Sequence, residues 1–353
     1  MAVARPCGTY DESYAKDMAI VRTRLQWIIL IVGLVLLFSL PLFLGGQWLN
    51  LLNLIGISLI AVHGLNILTG YCGQISLGQS AFMAVGAYTS GVLTAKLGLS
   101  FWVALPCSAL SAGVVGLVFG LPSLRVKGFY LAMATLAAQF IIPTLIGHPL
   151  EGITNGVRTL VVPAPRVGEI ACTSAQSMFY IVIPIAVLMT FFAKNLVRTG
   201  VGRAFIAIRD NDLAAEVNGI SVFRYKLLAF FICSVYAGVA GCLWAHWMRA
   251  INPDHFTLID SIWYVGMMIV GGMGSTAGAI FGVAFLRILD ELTKILGMWL
   301  SGIFISWGAF LQAALGPIVY GLVIILFIIF EPRGLAHRWE IFKASYRLRP
   351  FAY

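Results

Sequence analysis

The chain predicts an all-α polytopic membrane protein of about ten transmembrane helices, some broken at glycines, with its N- and C-termini cytoplasmic. Three observations predict it. Of 353 residues, 60% are hydrophobic and only 10% charged, with a mean hydropathy of +0.94, whereas soluble domains carry about 25% charged residues. Apolar runs recur at close to the length of about 20 residues that a helix needs to cross a hydrocarbon core of roughly 30 Å. Basic residues are unevenly shared between the connections: with the amino terminus inside, seventeen of the 23 Lys and Arg fall on the cytoplasmic side. That distribution explains the formal net charge of +9 through topology and anionic membrane lipid, and no nucleic-acid partner is needed.

Taken in order, residues 1–24 are a polar cytoplasmic segment of mixed charge. No small-residue cleavage site follows the first apolar run, so 25–44 is expected to be a retained span and not a removable signal. Further spans are expected at 48–68, 77–97, 101–121, 129–147, 178–192, 227–248, 258–271, 278–295 and 303–330. The last contains Gly316-Pro317, which leaves either one kinked helix or a re-entrant pair. The transmembrane domain therefore covers 25–335, with an external loop at 148–177, a cytoplasmic loop at 198–226 and a basic cytoplasmic tail at 336–353. The external loop holds Pro149, Pro163, Pro165 and Asn155-Gly156 and suits either a partner's docking surface or a plain connector. Six scattered cysteines without a CxxC pair, only Cys172 of them outside, give no disulfide framework.

Two glycine breaks interrupt this pattern. The first, between the second and third spans, runs Gly70-Tyr-Cys-Gly73-Gln74-Ile-Ser76-Leu-Gly78-Gln79-Ser80. Its glycines and amides at membrane depth leave backbone and side-chain groups that must meet water, protein or solute, so Gln74, Ser76, Gly78 and Gln79, with Tyr88 beyond them, are candidates for a substrate path. The bland reading is that the small residues only let helices approach closely. The second break, Gly271-Gly-Met-Gly274-Ser-Thr-Ala-Gly278, continues to Gly282, and its four-residue glycine spacing is that of close helix packing. Gly116-xxx-Gly120 has the same spacing. The two breaks hint at internal duplication.

Charged groups cluster twice. In the span after the second break, Arg287, Asp290, Glu291 and Lys294 are three and four residues apart, where they neutralise one another or, in an ion-coupled secondary transporter, relay protons. The cytoplasmic loop is the richer signal. Eight of the chain's 37 charged residues lie in 198–230 (Arg198, Arg203, Arg209, Asp210, Asp212, Glu216, Arg224 and Lys226). Within it a short helix is marked at both ends: Asn211 or Asp212 caps its start, and Gly219 supplies the left-handed residue that ends it. Ala214 and Ala215 keep that helix thin enough for a partner's groove, and Ser221 caps the next helix. The alternative is an ordinary solvated connection.

Several chemistries are missing. The seven lysines are never preceded by glycine, so there is no P-loop and work drawn from ATP must arrive from another subunit. Gly73-Gln-Ile-Ser76-Leu-Gly78 is not a nucleophile elbow, and His246, Asp254 and His255 match no ligand spacing, so no enzyme activity, metal or cofactor is expected.

Many positions together resemble the permease subunits of branched-chain amino-acid ABC importers, the LivM type. The pattern G-x-x-G-Q-x-S-L-G-x-x-x-F-x-x-x-G-A-Y is met by Gly70, Gly73, Gln74, Ser76, Leu77, Gly78, Phe82, Gly86, Ala87 and Tyr88. The run R-x-x-G-x-Y-x-A-x-x-T-L is met by Arg125, Gly128, Tyr130, Ala132, Thr135 and Leu136; Gly271-Gly-x-Gly274 and Glu331-Pro-Arg-Gly-Leu335 also agree. Arg209, Asn211, Ala214-Ala215, Gly219 and Lys226 match the family's cytoplasmic loop. The resemblance implies a bacterial inner-membrane importer with a second homologous permease, usually a different one, two cytoplasmic ATP-binding subunits and a periplasmic substrate-binding protein. It makes 212–219 a coupling helix, with Arg209, Asp212, Ala214, Ala215, Gly219 and Lys226 engaged in ATPase coupling. The broader importer signature begins Glu-Ala-Ala, whereas here Leu213 precedes the alanines and the acid is Asp212. Permeases of this kind also carry urea, amides or aromatic acids.

Overall fold

The computed structural model describes residues 24–123, 129–167, 170–303 and 308–348. Nearly all of the amino-terminal segment, the expected turn at 125–128 and the last residues of the basic tail, 349–353, lie outside them.

The described chain is predominantly helical. Helix α1 (Arg24–Ser39) runs into a 3-10 turn at Leu40–Leu42, and α2 (Gly46–Leu65) continues through a π-helical turn, Asn66–Tyr71. After the first break come α3 (Gln79–Ala95), α4 (Phe101–Ser123), α5 (Phe129–Gly147) and the single turn α6 (Glu151–Thr154). Helix α7 (Ala175–Arg198) leads to α8 (Gly200–Asp210), α9 (Asp212–Val217) and α10 (Val222–Met248). The second break separates α11 (Leu258–Gly271) from α12 (Thr276–Ile303), and α13 (Gly308–Phe330) is followed by α14 (Gly334–Leu348).

Helix α10 is the central element, packed against α2, α3 and α4. In a membrane the apolar effect does not drive helices together, so association rests on close van der Waals fit and small residues. Gly238 shows the fit: a Cβ there would stand 2.5 Å from the Ser108 carbonyl oxygen of α4, and a Cβ on Gly86 of α3 would strike Gly238 itself. The Gly116/Gly120 pair faces Ser234 and Phe230 of α10, so this spacing does mark a packing seam. Because backbone lies on both sides of Gly238, Gly238→Val is expected to cost about 3 kcal/mol or more, the upper range of overpacking. A detergent-solubilised Gly238→Val variant should melt well below the parent; an unchanged Tm would contradict this packing.

Among the described residues, five helices are long and apolar enough to cross a membrane unaided: Gly46–Tyr71, Phe101–Leu121, Tyr130–Gly147, Ala175–Arg198 and Val222–Met248. Two bent pairs, Pro253–Gly271 with Thr276–Ser301 at 119° and Ala314–Phe330 with Gly334–Ser345 at 47°, bring the number to seven. The expected ten is higher for physical reasons. The first break shortens α3 to 17 residues, and the apolar helix at Gln26–Leu42 is also under 18 residues. The second break folds α11, only 14 residues long, back against α12. Gly316-Pro317 does not split the last span: α13 is continuous through Pro317.

The segment after α6 is held to the body. Its strand β1 (Leu160–Val161) pairs antiparallel with β4 (Ala250–Ile251), which follows α10, while β2 (Arg166–Val167) and β3 (Ile170–Ala171) form a hairpin. Arg249, left-handed at φ 61°, ends α10, and its guanidinium donates to the Thr173 carbonyl. His246 meets the Pro163 carbonyl at 3.1 Å, and His255 packs edge-on against Trp244.

Candidate functional site

The two glycine breaks meet, and they meet beneath the charged loop at 198–226. Asn66, 1% exposed at the foot of α2, bridges them: the Gly274 N–H donates to its Oδ1 at 2.8 Å and its Nδ2 donates to the Ser275 carbonyl at 3.1 Å. A polar side chain at this depth is costly unless fully bonded, and Asn66 uses both ends of its amide across 208 residues of sequence. A Cβ on Gly70 would stand 2.5 Å from the Gly274 nitrogen, so nothing but glycine lets the breaks touch.

Arg209, at the end of α8, fastens this junction to the loop. Its Nη1 donates to the Gly70 carbonyl at 3.1 Å, while Nε and Nη2 donate to Asp210 Oδ1 at 3.0 and 2.9 Å. The planar fork permits one side chain to hold a backbone carbonyl and a carboxylate together. Helix α9 follows at once. Of the two expected caps, Asn211 is the one used: its Oδ1 accepts from the N–H groups of Leu213 and Ala214, both at 3.1 Å. Gly219, at φ +81°, ends the turn in the left-handed region. Ser221 occupies the cap position of α10 without a side-chain cap bond.

The loop is more ordered than a solvated connection. Helix α8 buries Phe205 and Ile208 in the core. Lys226, 7% exposed, lies 3.7 Å from Asp212 across the α9/α10 corner. Removing the acid leaves a buried cation without this partner, which typically costs about 3–5 kcal/mol. Asp212→Ala should therefore destabilise the chain strongly, while Asp212→Ala with Lys226→Met should recover most of the loss in thermal melts. Equal destabilisation in the single and double variants would contradict the pairing.

The alanines divide between inside and outside. Ala215 is 3% exposed and turned into this chain's own core, so it does not belong to an outward face. That face is Leu213, 65% exposed, and Val217, 89% exposed, one helical turn apart, with Ala214 beside them.

The other sequence candidates do not share one cavity. Gln74 joins Gly73, Arg209, Asp212 and Lys226 around a polar hollow of about 330 Å³. Cys72 also borders it, beyond the end of α2, and burial pushes its thiol up to about 12 although the Lys226 charge pulls the other way; such a thiol is unreactive at neutral pH. Ser76 and Gln79 are fully buried. Gln79 Nε2 donates to the Ala61 carbonyl at 2.8 Å and its Oε1 accepts from Cys233 Sγ at 3.2 Å. Gly78 allows the turn to pass the Thr135 carbonyl, 2.9 Å from where a Cβ would be. Tyr88, two and a half turns further along α3, borders an apolar groove of about 460 Å³ between α3, α4 and α5, its buried hydroxyl unpartnered among the described residues.

Sequence reasoning missed what closes the start of α3. The N–H groups of Ser80 and Ala81 donate to Ser261 Oγ at 2.9 Å and Gln139 Oε1 at 3.0 Å, and Ser261 Oγ donates to the same Gln139 oxygen at 2.8 Å. Side chains from α11 and α5 thus serve as a cap that α3 does not supply itself. The signal was present: Gln139 is a lone amide in an apolar span.

The second cluster is already satisfied in part. Lys294 pairs with Asp290 at 2.9 Å and Glu291 at 3.6 Å, whereas Arg287 turns away to donate twice to Ser58 Oγ of α2, at 2.9 and 2.7 Å.

A sequence profile of the branched-chain amino acid transport system permease component matches residues 47–328. The chain belongs to this family. Among its similar proteins, the high-affinity branched-chain amino acid transport system permease protein LivM of Escherichia coli K12 is 30% identical over 292 residues, 76% of this chain and 69% of that one. The probable LivM of Methanocaldococcus jannaschii is 24% identical over 319 residues, 79% of this chain and 90% of that one. The autoinducer 2 import system permease protein LsrC of Escherichia coli K12/DH10B is 25% identical over 320 residues, 86% of each. No solved structure matches. The matched region takes in both breaks, the Arg209 junction and α9, so the whole site lies inside the permease family's shared core. This permease is a multi-pass membrane protein and a transport component of its system.

Proposed function

We propose that the chain is a translocating subunit of a binding-protein-dependent ABC importer in a bacterial inner membrane. Its solute is a branched-chain amino acid, as the names of its LivM relatives favour, or a related small polar solute, since LsrC relatives serve autoinducer 2 import. A second homologous permease, a different chain, completes the path; two cytoplasmic ATP-binding subunits drive it and a periplasmic binding protein delivers solute. About ten crossings, counting the short helices, put both termini and 198–226 in the cytoplasm, and 148–177 outside.

One observation carries the mechanism: the helix with the exposed apolar face, α9, adjoins the arginine that is bonded to a carbonyl of one glycine break while Asn66 bonds the other. An ATPase that moves α9 moves Arg209, and Arg209 moves both breaks as one body. Arg209, Asp212, Ala214, Gly219 and Lys226 transmit the motion, with Ala215 seating α9 on the body. Gln74, Ser76, Gly78, Gln79 and Tyr88 line the path once that joint movement opens it, Gln79 exchanging the Ala61 carbonyl for solute. Alternating access of this kind needs no tight binding in the permease, since the binding protein supplies selectivity.

The test is reconstitution of the chain with its partner permease and ATPases in vesicles. Uptake should require ATP inside and the binding protein outside. Uptake without the ATPases that follows a proton gradient would instead establish an ion-coupled secondary transporter.

A further inference from the structure

The final helix presents a second, separate surface. Helix α14 leaves α13 at a 47° bend and lies against α12, with Phe281 and Trp339 rings 6.0 Å apart and Trp339 stacked on Phe342 at 5.8 Å. Between α12 and α14 runs an apolar groove of about 760 Å³, with Phe281, Phe285, Trp339 and Phe342 along it and Arg338 and Ser345 among its lining residues. Phe342 is 61% exposed, so the groove is open.

We propose that this groove holds an anionic phospholipid of the surrounding membrane, an acyl chain between α12 and α14 and the phosphate against Arg338, with Lys343 of the same helix adding positive charge. Charge and position together choose that occupant. From 336 to 353 there are four basic residues, Arg338, Lys343, Arg347 and Arg349, against the single acid Glu340. Arg338 is bonded to Glu331 and thereby fixed in direction, yet its side chain stays 68% exposed. The apolar wall begins on α12, whose outer face continues through the exposed Ile288 and Leu292, so the groove is continuous with the surface a bilayer would cover. An amphipathic basic helix joined to a membrane span is the arrangement that interfacial anionic lipid favours.

The lipid also bears on the site. Gly334, at the start of α14, has φ +72° and sits so closely on Gly272 of the second break that a Cβ would stand 2.5 Å from the Gly272 nitrogen. Seating α14 therefore braces the break that Asn66 holds from the other side.

The experiment is native mass spectrometry of the full chain, delipidated and titrated with phosphatidylglycerol or phosphatidylcholine of the same acyl chains. Phosphatidylglycerol should bind more tightly, with each cation removed in Arg338→Gln and Lys343→Gln weakening it about fivefold. The charge-keeping pair Arg338→Lys and Lys343→Arg should retain it, which separates a lost site from a lost fold. A photo-crosslinker at position 342 should yield an adduct of phospholipid mass. Equal affinity for the two lipids, or an adduct with a polypeptide instead of lipid, overturns the proposal.

Discussion

Replacing Leu213 and Val217 together with aspartate should abolish association with the ATP-binding subunits while leaving membrane insertion intact. These side chains, 65% and 89% exposed, touch little of their own chain, so their loss has small consequence for the fold. In a partner's groove each would contribute about 1.5–3 kcal/mol by burial. Losing both is a fall of roughly 10²- to 10⁴-fold in affinity, and the carboxylates add a desolvation penalty. Co-purification of ATPases with tagged permease reads the effect directly. Ala214→Trp should behave similarly through bulk. Ala215→Trp should fail differently, by destabilising the permease itself, because Ala215 faces inward. Undiminished co-purification of the aspartate variant would remove α9 from the interface.

The second large effect is at Arg209, where assembly and transport should separate. Arg209→Ala removes the bond to the Gly70 carbonyl and both bonds to Asp210 without altering the outward face of α9. ATPases should still bind and still hydrolyse ATP, but uptake should fall. Coupling free energies of about 1–3 kcal/mol correspond to roughly 5- to 150-fold, and a charge-assisted hydrogen bond is worth about 1.5–3 kcal/mol, so a loss near the upper end is expected. Arg209→Lys should recover little, since a point charge cannot hold a carbonyl and a carboxylate in one plane. A fall in ATPase binding parallel to the fall in uptake would reduce Arg209 to a structural residue.

How far the sequence could be read follows the range of the interactions. Membrane class, most span positions and the ends of α9 rest on local composition and caps, and these were legible; so was the pairing of Lys294, three and four residues from its partners. Helix α8 was not, because Gly200-Val-Gly-Arg203 and its charges look like loop until Phe205 and Ile208 find the core. The direction of Ala215 against Leu213 and Val217 was hidden for the same reason: a six-residue helix has too few turns to reveal which side is buried. Gly274, expected in the α12 packing seam, lies in the break before it at φ +74°, while Gly278 and Gly282 do pack against Gly271. The junction was beyond reach, since Asn66 and Gly274 are 208 residues apart and neither alone announces a partner.

If α9 is the coupling helix, the motor touches it, and solute, lipid and the outside do not. A photo-crosslinker at position 217, activated in vesicles holding the assembled importer, tests it most directly. An adduct with an ATP-binding subunit, its yield changing when ATP is supplied, is expected; an adduct with the periplasmic binding protein or with lipid would rule out that docking.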